Sequence, residues 1–221
     1  MSDNVISNNI VSIFGTVKEN PVLSHEMYGE KFFNTELIVP RLSDVFDVLP
    51  ITISERLMLG IDIEMGTKML VEGQLRSYNK YLDGSNKLIL TVFARNITLI
   101  DEEVKNPNQI YLDGYICKRP IYRTTPFGRE ITDMLIAVNR PYNKSDYIPS
   151  IAWGRNARYS EKLQVGDRIK VWGRIQSREY QKRISDEEVI TRIAYEISIS
   201  KMEVVETTLD EEVCNKEELN D

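Results

Sequence analysis

The sequence predicts an all-β chain built from two tandem copies of one five-stranded unit. Three observations carry that prediction. The first is an internal repeat: a shift of 99 lays residues 9–56 over 108–155 without a gap. Gly15 then falls on Gly114, Pro21 on Pro120, Gly29 on Gly128, Arg41 on Arg140, Asp47 on Asp146, Pro50 on Pro149 and Arg56 on Arg155. After a one-residue slip, a shift of 100 puts Gly66, Val71, Gly73, Ser77, Thr91, Ala94 and Ile97 on Gly166, Val171, Gly173, Ser177, Thr191, Ala194 and Ile197. The second is short runs in which apolar and polar residues alternate, the period of a half-buried strand. The third is the placing of Gly and Pro between and within those runs, where turns and bulges need them.

Each copy yields its elements in the same order. NNIVSIFGTV (8–17) and NQIYLDGYI (108–116) are first strands, each interrupted by one glycine as at a bulge or a close backbone approach. FNTELIVP (33–40) and ITDMLIAVN (131–139) follow a Gly-containing connection as second strands. VLPITI (48–53) and YIPSIAW (147–153) are third strands, and the proline in each predicts an edge or bulged position. Short helices are expected at 54–60 and 154–163. Gly turns then lead into long fourth strands, GTKMLVEGQLRSY (66–78) and GDRIKVWGRIQSREY (166–180). Loops at 79–87 and 180–187 precede fifth strands, LILTVFARNITLI (88–100) and EVITRIAYEISISKMEVV (188–205). Five strands with a short helix between the third and fourth is the layout of an OB-fold barrel. The predicted organisation is therefore one OB-fold over 1–106, a second over 107–206, and a tail at 207–221.

Composition narrows the function. At 42% hydrophobic and 28% charged residues the chain has ordinary globular composition. It has no apolar run long enough for a membrane helix, and its start lacks the basic and apolar regions of a secretory signal. Cys117 and Cys214 are far apart with no CxxC partner, which fits free thiols in the cytoplasm. A net charge of −6 argues at first against a nucleic-acid partner. The average hides a division, because residues 1–106 carry −5, residues 107–206 carry +4 and the tail carries −5. The basic middle holds AVNRPYNKSDYIPSIAWGR (137–155), where Tyr142, Tyr147 and Trp153 interleave with Arg140, Lys144 and Arg155. The counterpart at 38–56 keeps Arg41, Asp47 and Pro50 but has Ser43, Val48 and Ser54 in place of those aromatics.

The second copy resembles the single-stranded DNA-binding protein (SSB) family of bacteria. The resemblance runs through N-x-I-x-L-x-G at 108–114, P-x-x-R-x-T-x-x-G at 120–128, LIAVNR at 135–140 and D-Y-I-x-x-x-x-W at 146–153. It continues through G-D-x-I-x-V-x-G-R-I-Q-S-R-x-Y at 166–180 and T-x-I-A-x-x-I at 191–197, in family order and spacing. The resemblance implies base stacking on Tyr142, Tyr147, Trp153 and Tyr180, and backbone contacts from Arg140, Arg174 and Arg178. It also implies sequence-independent binding of single-stranded DNA in replication, recombination or repair, with replication or repair proteins as possible partners. Family members pool four OB-folds, so a homodimer of this chain would supply the same number. At the end of the fourth strand, copy one has Lys80 where copy two has Tyr180, with Tyr78 and Tyr81 nearby as partial substitutes. Weak or no direct DNA binding is expected of it.

The chemistry suits that reading. Every base has a π-face, so stacking is indifferent to sequence, and cations that neutralise phosphates make binding fall with salt. In the fourth strand Lys170, Trp172, Arg174, Gln176, Arg178 and Tyr180 share one parity, while Ile169, Val171, Gly173 and Ile175 share the core-facing one. The alternative for any Tyr or Trp in a barrel strand is packing. Trp153 is open to it because Ile151 shares its parity; Trp172 could pack on copy one or on a partner. Enzyme readings find little purchase. The one histidine, His25, falls in an expected loop with no nucleophile nearby, no Cys/His cluster offers a zinc site, and Gly66-Thr67-Lys68 lacks the rest of a phosphate-binding loop. No cofactor is expected. The alternatives are a protein adaptor of replication or mobile-element machinery that kept the fold, and binding of single-stranded RNA. The acidic tail is expected to be disordered, without a long linker or terminal Phe.

Overall fold

The computed structural model describes residues 7–41, 43, 45–82, 84–183 and 189–205. The acidic tail, with Cys214, lies outside the described residues. Unit one contains β1 (Asn9–Val17), β2 (Val22–Met27), β3 (Glu30–Pro40), β4 (Phe46–Ser54), a 3-10 turn (Glu55–Met58), β5 (Lys68–Leu82) and β6 (Ser85–Leu99). Unit two repeats the series as β7 (Asn108–Ile116), β8 (Ile121–Thr124), β9 (Glu130–Arg140), β10 (Lys144–Trp153), helix α1 (Arg155–Ser160), β11 (Arg168–Arg183) and β12 (Val189–Val205). In unit one β1 pairs with both β5 and β3, and β4 runs parallel to β6, so β1, β3, β4, β6 and β5 close into a barrel. The matching pairings close unit two. The two tandem OB-fold barrels of five strands are therefore present.

Several expectations need correction. Each unit has a sixth strand, β2 or β8, added to the outside of β3 or β9. His25 lies on β2 rather than in a loop, and its ring stacks on Phe32 at 5.0 Å. The helix expected in unit one is only a 3-10 turn capped by Ser54, and that in unit two is six residues long. The last-strand matches at a shift of 100 do not survive either. Val92 and Ala94 of unit one occupy the places of Ile197 and Ile199, a longer shift, because the β11–β12 hairpin is the longer of the two. Gln176 is buried and bonded to Glu196, not displayed on a polar face.

The barrel cores follow the repeat. Val11, Ile13, Leu37, Leu49, Val71 and Leu75 are buried in unit one where unit two buries Ile110, Leu112, Ile136, Ile148, Val171 and Ile175. Removing each such side chain from water is worth about 1.5–3 kcal/mol. The paired glycines mark where strands cross too closely for a Cβ. One added at Gly73 or Gly173 would lie 2.2 Å from the carbonyl oxygen of Phe93 or Ser198.

One antiparallel seam joins the barrels. β1 pairs with β7 from Asn9↔Leu112 to Ile13↔Asn108, making a single hydrogen-bonded network of twelve strands. The side-chain amides of Asn9 and Asn108 tie each seam strand to its own barrel, each bonding both the N–H and the C=O of one residue, Leu75 and Ile175 respectively. Flanking the seam are two buried carboxylates. Asp47, on β4, accepts from Arg41 of its own unit (2.6 and 2.8 Å) and from unit two's Arg174 (3.2 Å) and Ser177 N–H (2.7 Å). Asp146, on β10, mirrors it: Arg140 Nε lies 3.3 Å away, and unit one gives Arg76 (3.1 Å) and the Ser77 N–H (2.6 Å). Truncating Asp146 to Ala leaves Arg76 and Arg140 facing each other in the seam. The expected cost is about 3–5 kcal/mol of stability, read from urea unfolding, and a loss near zero would show that the pair is dispensable.

Candidate nucleic-acid interface

The aromatic residues of unit two reach the surface because β9 and β10 alternate. Ile136, Val138, Asp146 and Ile148 turn inward, which sends Leu135, Ala137, Asn139 and Tyr147 outward. In register, Tyr147 sits opposite Ala137, and Ala137 is in turn opposite Tyr115 of β7. Tyr115 and Tyr147, 39% and 46% exposed, thus stand two strands apart, roughly 10 Å, with a small residue between them. The same three places in unit one are Thr16, Ile38 and Val48. Tyr115 was not among the residues singled out from the sequence. The signal for it was present, since the shift of 99 places it on Thr16.

Tyr142 crowns the turn between β9 and β10. It is 94% exposed, and its φ of 62° places a bulky side chain in the left-handed region, beside Asn143 at 54°. Such backbone outliers cluster at binding sites, where the surrounding structure holds them. Trp153 ends β10, about six residues or 20 Å along the strand from Tyr147. It is half-buried, and its indole N–H donates to Ser198 Oγ at 3.1 Å, so it combines packing with a partly open face.

Tyr180 lies elsewhere. It projects from the β11–β12 hairpin opposite Arg192 and is 36% exposed. With Arg192 and Ile193 it lines a cleft of about 390 Å³ whose other wall is Lys87, Leu88 and Ile89 of unit one. The exposed Tyr78 and Tyr81 also belong to the unit-one hairpin. Trp172 packs within unit two, where its ring meets Tyr111 at 5.1 Å and Lys201 Nζ stands 4.5 Å over it, and it lines a cleft shared with Pro40 and Arg41 of unit one.

The basic residues divide. Arg178 is exposed, 3.7 Å from Glu196. Arg140 and Arg174 are ion-pair partners of the buried Asp146 and Asp47, so their guanidinium groups are held at the seam although their side chains stay partly exposed. Burial, and next the charge of Arg41, pull Arg174 below the ordinary arginine value; burial does the same to Arg76 against the pull of Asp146. Each aspartate faces two guanidinium groups, leaving one positive charge in excess beside the exposed aromatics. The arrangement offers flat π-surfaces, a positive field and no cluster of nucleophile and base.

Residues 107–205 match the model of the single-strand binding protein family. Over 93 residues the chain is 31% identical to single-stranded DNA-binding protein 1 of Staphylococcus aureus, a match covering 39% of this chain. The chain spans about half the length of the curated relatives it matches, 56% in that case. A deletion variant of the single-stranded DNA binding protein from Thermus aquaticus superposes on 92% of this chain and 97% of its own, with a TM-score of 0.73 and 22% identity. That likeness shows the fold in both units. The N-terminal domain of the PriB protein from Thermoanaerobacter tencongensis is 54% identical over 43% of this chain, at a TM-score of 0.39. No described helix is long and apolar enough to cross a membrane.

Exposure separates the aromatics by their effect on folding. Tyr142→Ala is expected to change stability by less than about 0.5 kcal/mol, whereas Trp153→Ala, losing packing and the Ser198 bond, costs about 1–3 kcal/mol. Thermal melts of the two variants check the ranking.

Proposed function

Because residues 107–205 match the model of the single-strand binding protein family, we propose that this chain binds single-stranded DNA without regard to sequence, using the outer face of unit two. The observation that carries this reading is the row Tyr115–Ala137–Tyr147, for which unit one has Thr16–Ile38–Val48. The two units share a frame and differ in their π-surfaces. Bases stack on Tyr147 and Tyr115, Tyr142 extends the track at the turn, Trp153 continues it along β10, and Tyr180 receives the strand at the hairpin. Arg178 meets phosphate directly. Arg140 and Arg174 contribute field from the seam rather than free guanidinium forks. The protein is a binding module, not an enzyme, and service in replication or repair belongs to the same proposal, as does a homodimer that assembles four barrels.

A second reading has one observation in its favour. Where unit two has Lys144 and Ser145, unit one exposes Val45 and Phe46, an apolar pair better suited to a protein than to phosphate. Unit one would then recruit a partner while unit two holds DNA.

Titrating oligo(dT) and oligo(U) into the protein at several salt concentrations, with Trp fluorescence as the signal, tests the main reading. Tyr147→Ala should weaken binding by roughly 5- to 150-fold, the equivalent of about 1–3 kcal/mol for one stacked base. Affinity of the wild type should fall steeply with salt. No binding of oligo(dT) at micromolar protein in low salt overturns it, and a preference for oligo(U) moves the assignment to RNA.

A further inference from the structure

Tyr147 is held by a residue of the other unit. β10 pairs with β12 only from Ser150 onward, so the edge of its first half has no ladder partner within its own barrel. On that edge the Tyr147 N–H, which no strand satisfies, donates to Ser77 Oγ of unit one at 2.7 Å. The Ser77 N–H donates in turn to Asp146 Oδ1 at 2.6 Å, and the neighbouring Arg76 reaches Asp146 Oδ2 at 3.1 Å. Two adjacent residues of β5 therefore grip two adjacent residues of β10, one of which carries the exposed ring. Ser77 is 5% exposed and Asp146 is fully buried, so these bonds do not compete with bulk water.

We infer that Ser77 is a positioning residue for nucleic-acid binding, and that unit one, poor in stacking residues itself, completes the site of unit two by fixing the backbone of Tyr147. The inference rests on the single-stranded DNA reading above. A ring presented for stacking must hold its plane where the base arrives, and small displacements are costly to pre-organised sites. A strand edge without a ladder is free to shift. Ser77 Oγ replaces the missing ladder bond at the residue that bears the ring.

The duplication supplies a matched control. Ser177 of unit two makes the reciprocal bond, its Oγ accepting from the Val48 N–H of unit one at 3.2 Å while its own N–H reaches Asp47 at 2.7 Å; its hydroxyl also donates to Asp47 at 3.3 Å. Val48 carries no ring. Ser77→Ala and Ser177→Ala each delete one hydroxyl and keep the backbone bond to the aspartate, so both should lower the melting temperature, Ser177→Ala by at least as much because its hydroxyl also bonds Asp47. Only Ser77→Ala should weaken oligo(dT) binding, by about three- to tenfold, a part of the loss expected on removing the ring itself. The slope of log affinity against log salt should stay at the wild-type value, because no phosphate contact is touched. Ser77→Thr, which keeps the hydroxyl, should bind like the wild type. If Ser77→Ala does not fold, Ser77→Cys, with a weaker acceptor of similar size, takes its place in the comparison. Equal affinities for the Ser77 and Ser177 variants, or a changed salt slope for Ser77→Ala, overturn the inference while leaving DNA binding intact. A wild type that does not bind oligo(dT) removes both readings.

Discussion

A carboxylate removed from water must find all its hydrogen bonds in the protein, and here two of them complete their set of donors where two barrels meet. Asp47 and Asp146 are each fully buried, and each draws one guanidinium from its own unit and a second, with a backbone N–H, from the other. In a barrel standing alone each aspartate would keep its own unit's arginine but lose the second guanidinium and the backbone N–H that the other unit supplies, and a buried charge stripped of partners costs several kcal/mol. The relative placement of the barrels is thus tied to the same bonds that make each buried charge tolerable. The β1–β7 ladder gives the seam its register, and the aspartates fix which faces of the neighbouring strands come together. Even the guanidinium supply is reciprocal in a shifted way. Unit one has Gln74 and Arg76 where unit two has Arg174 and Gln176, and in both the glutamine braces its arginine.

With the frame held in common, the divergence that adds aromatic surface to unit two falls at outward positions. Thr16 to Tyr115, Val48 to Tyr147 and Ser43 to Tyr142 all lie at exposed or part-exposed positions outside the barrel cores. The residues that join the units or brace the seam strands recur in both: Asn9 and Asn108, Asp47 and Asp146, Ser77 and Ser177. An acidic unit and a basic unit can therefore share one architecture, because net charge is set by the exposed positions that the architecture leaves free.

How far the sequence could be read follows from what each residue does. The barrel strands were legible because one face of each is buried, and burial of one face leaves a period of two. β2 was not, since every residue on it is exposed and no period results. The last strand was placed at the wrong shift because the β11–β12 hairpin differs in length, and Thr, Ala and Ile recur often enough in strands to match by accident. Tyr142 and Tyr180, beside loops, are exposed, and so is Tyr147, for which the sequence leaves packing with Trp153 open; Arg140 and Arg174 resemble surface cations until Asp146 and Asp47 are seen beside them. The bond from the Tyr147 N–H to Ser77 Oγ had no sequence signature at all. It joins a backbone group to a side chain seventy residues away, and any residue at 147 would present the same N–H.

The seam between β1 and β7 joins two segments of one polypeptide rather than two separate molecules. Its equilibrium is consequently indifferent to how much protein the solution contains. Barrels on separate chains would part on dilution, whereas a covalent connection presents each barrel to the other at a high effective concentration that dilution cannot lower. A site that borrows Ser77 from its neighbour can then depend on that neighbour always being there. The pair is also always unlike, one acidic barrel to one basic, a stoichiometry that freely exchanging subunits would have to enforce by discrimination at the interface.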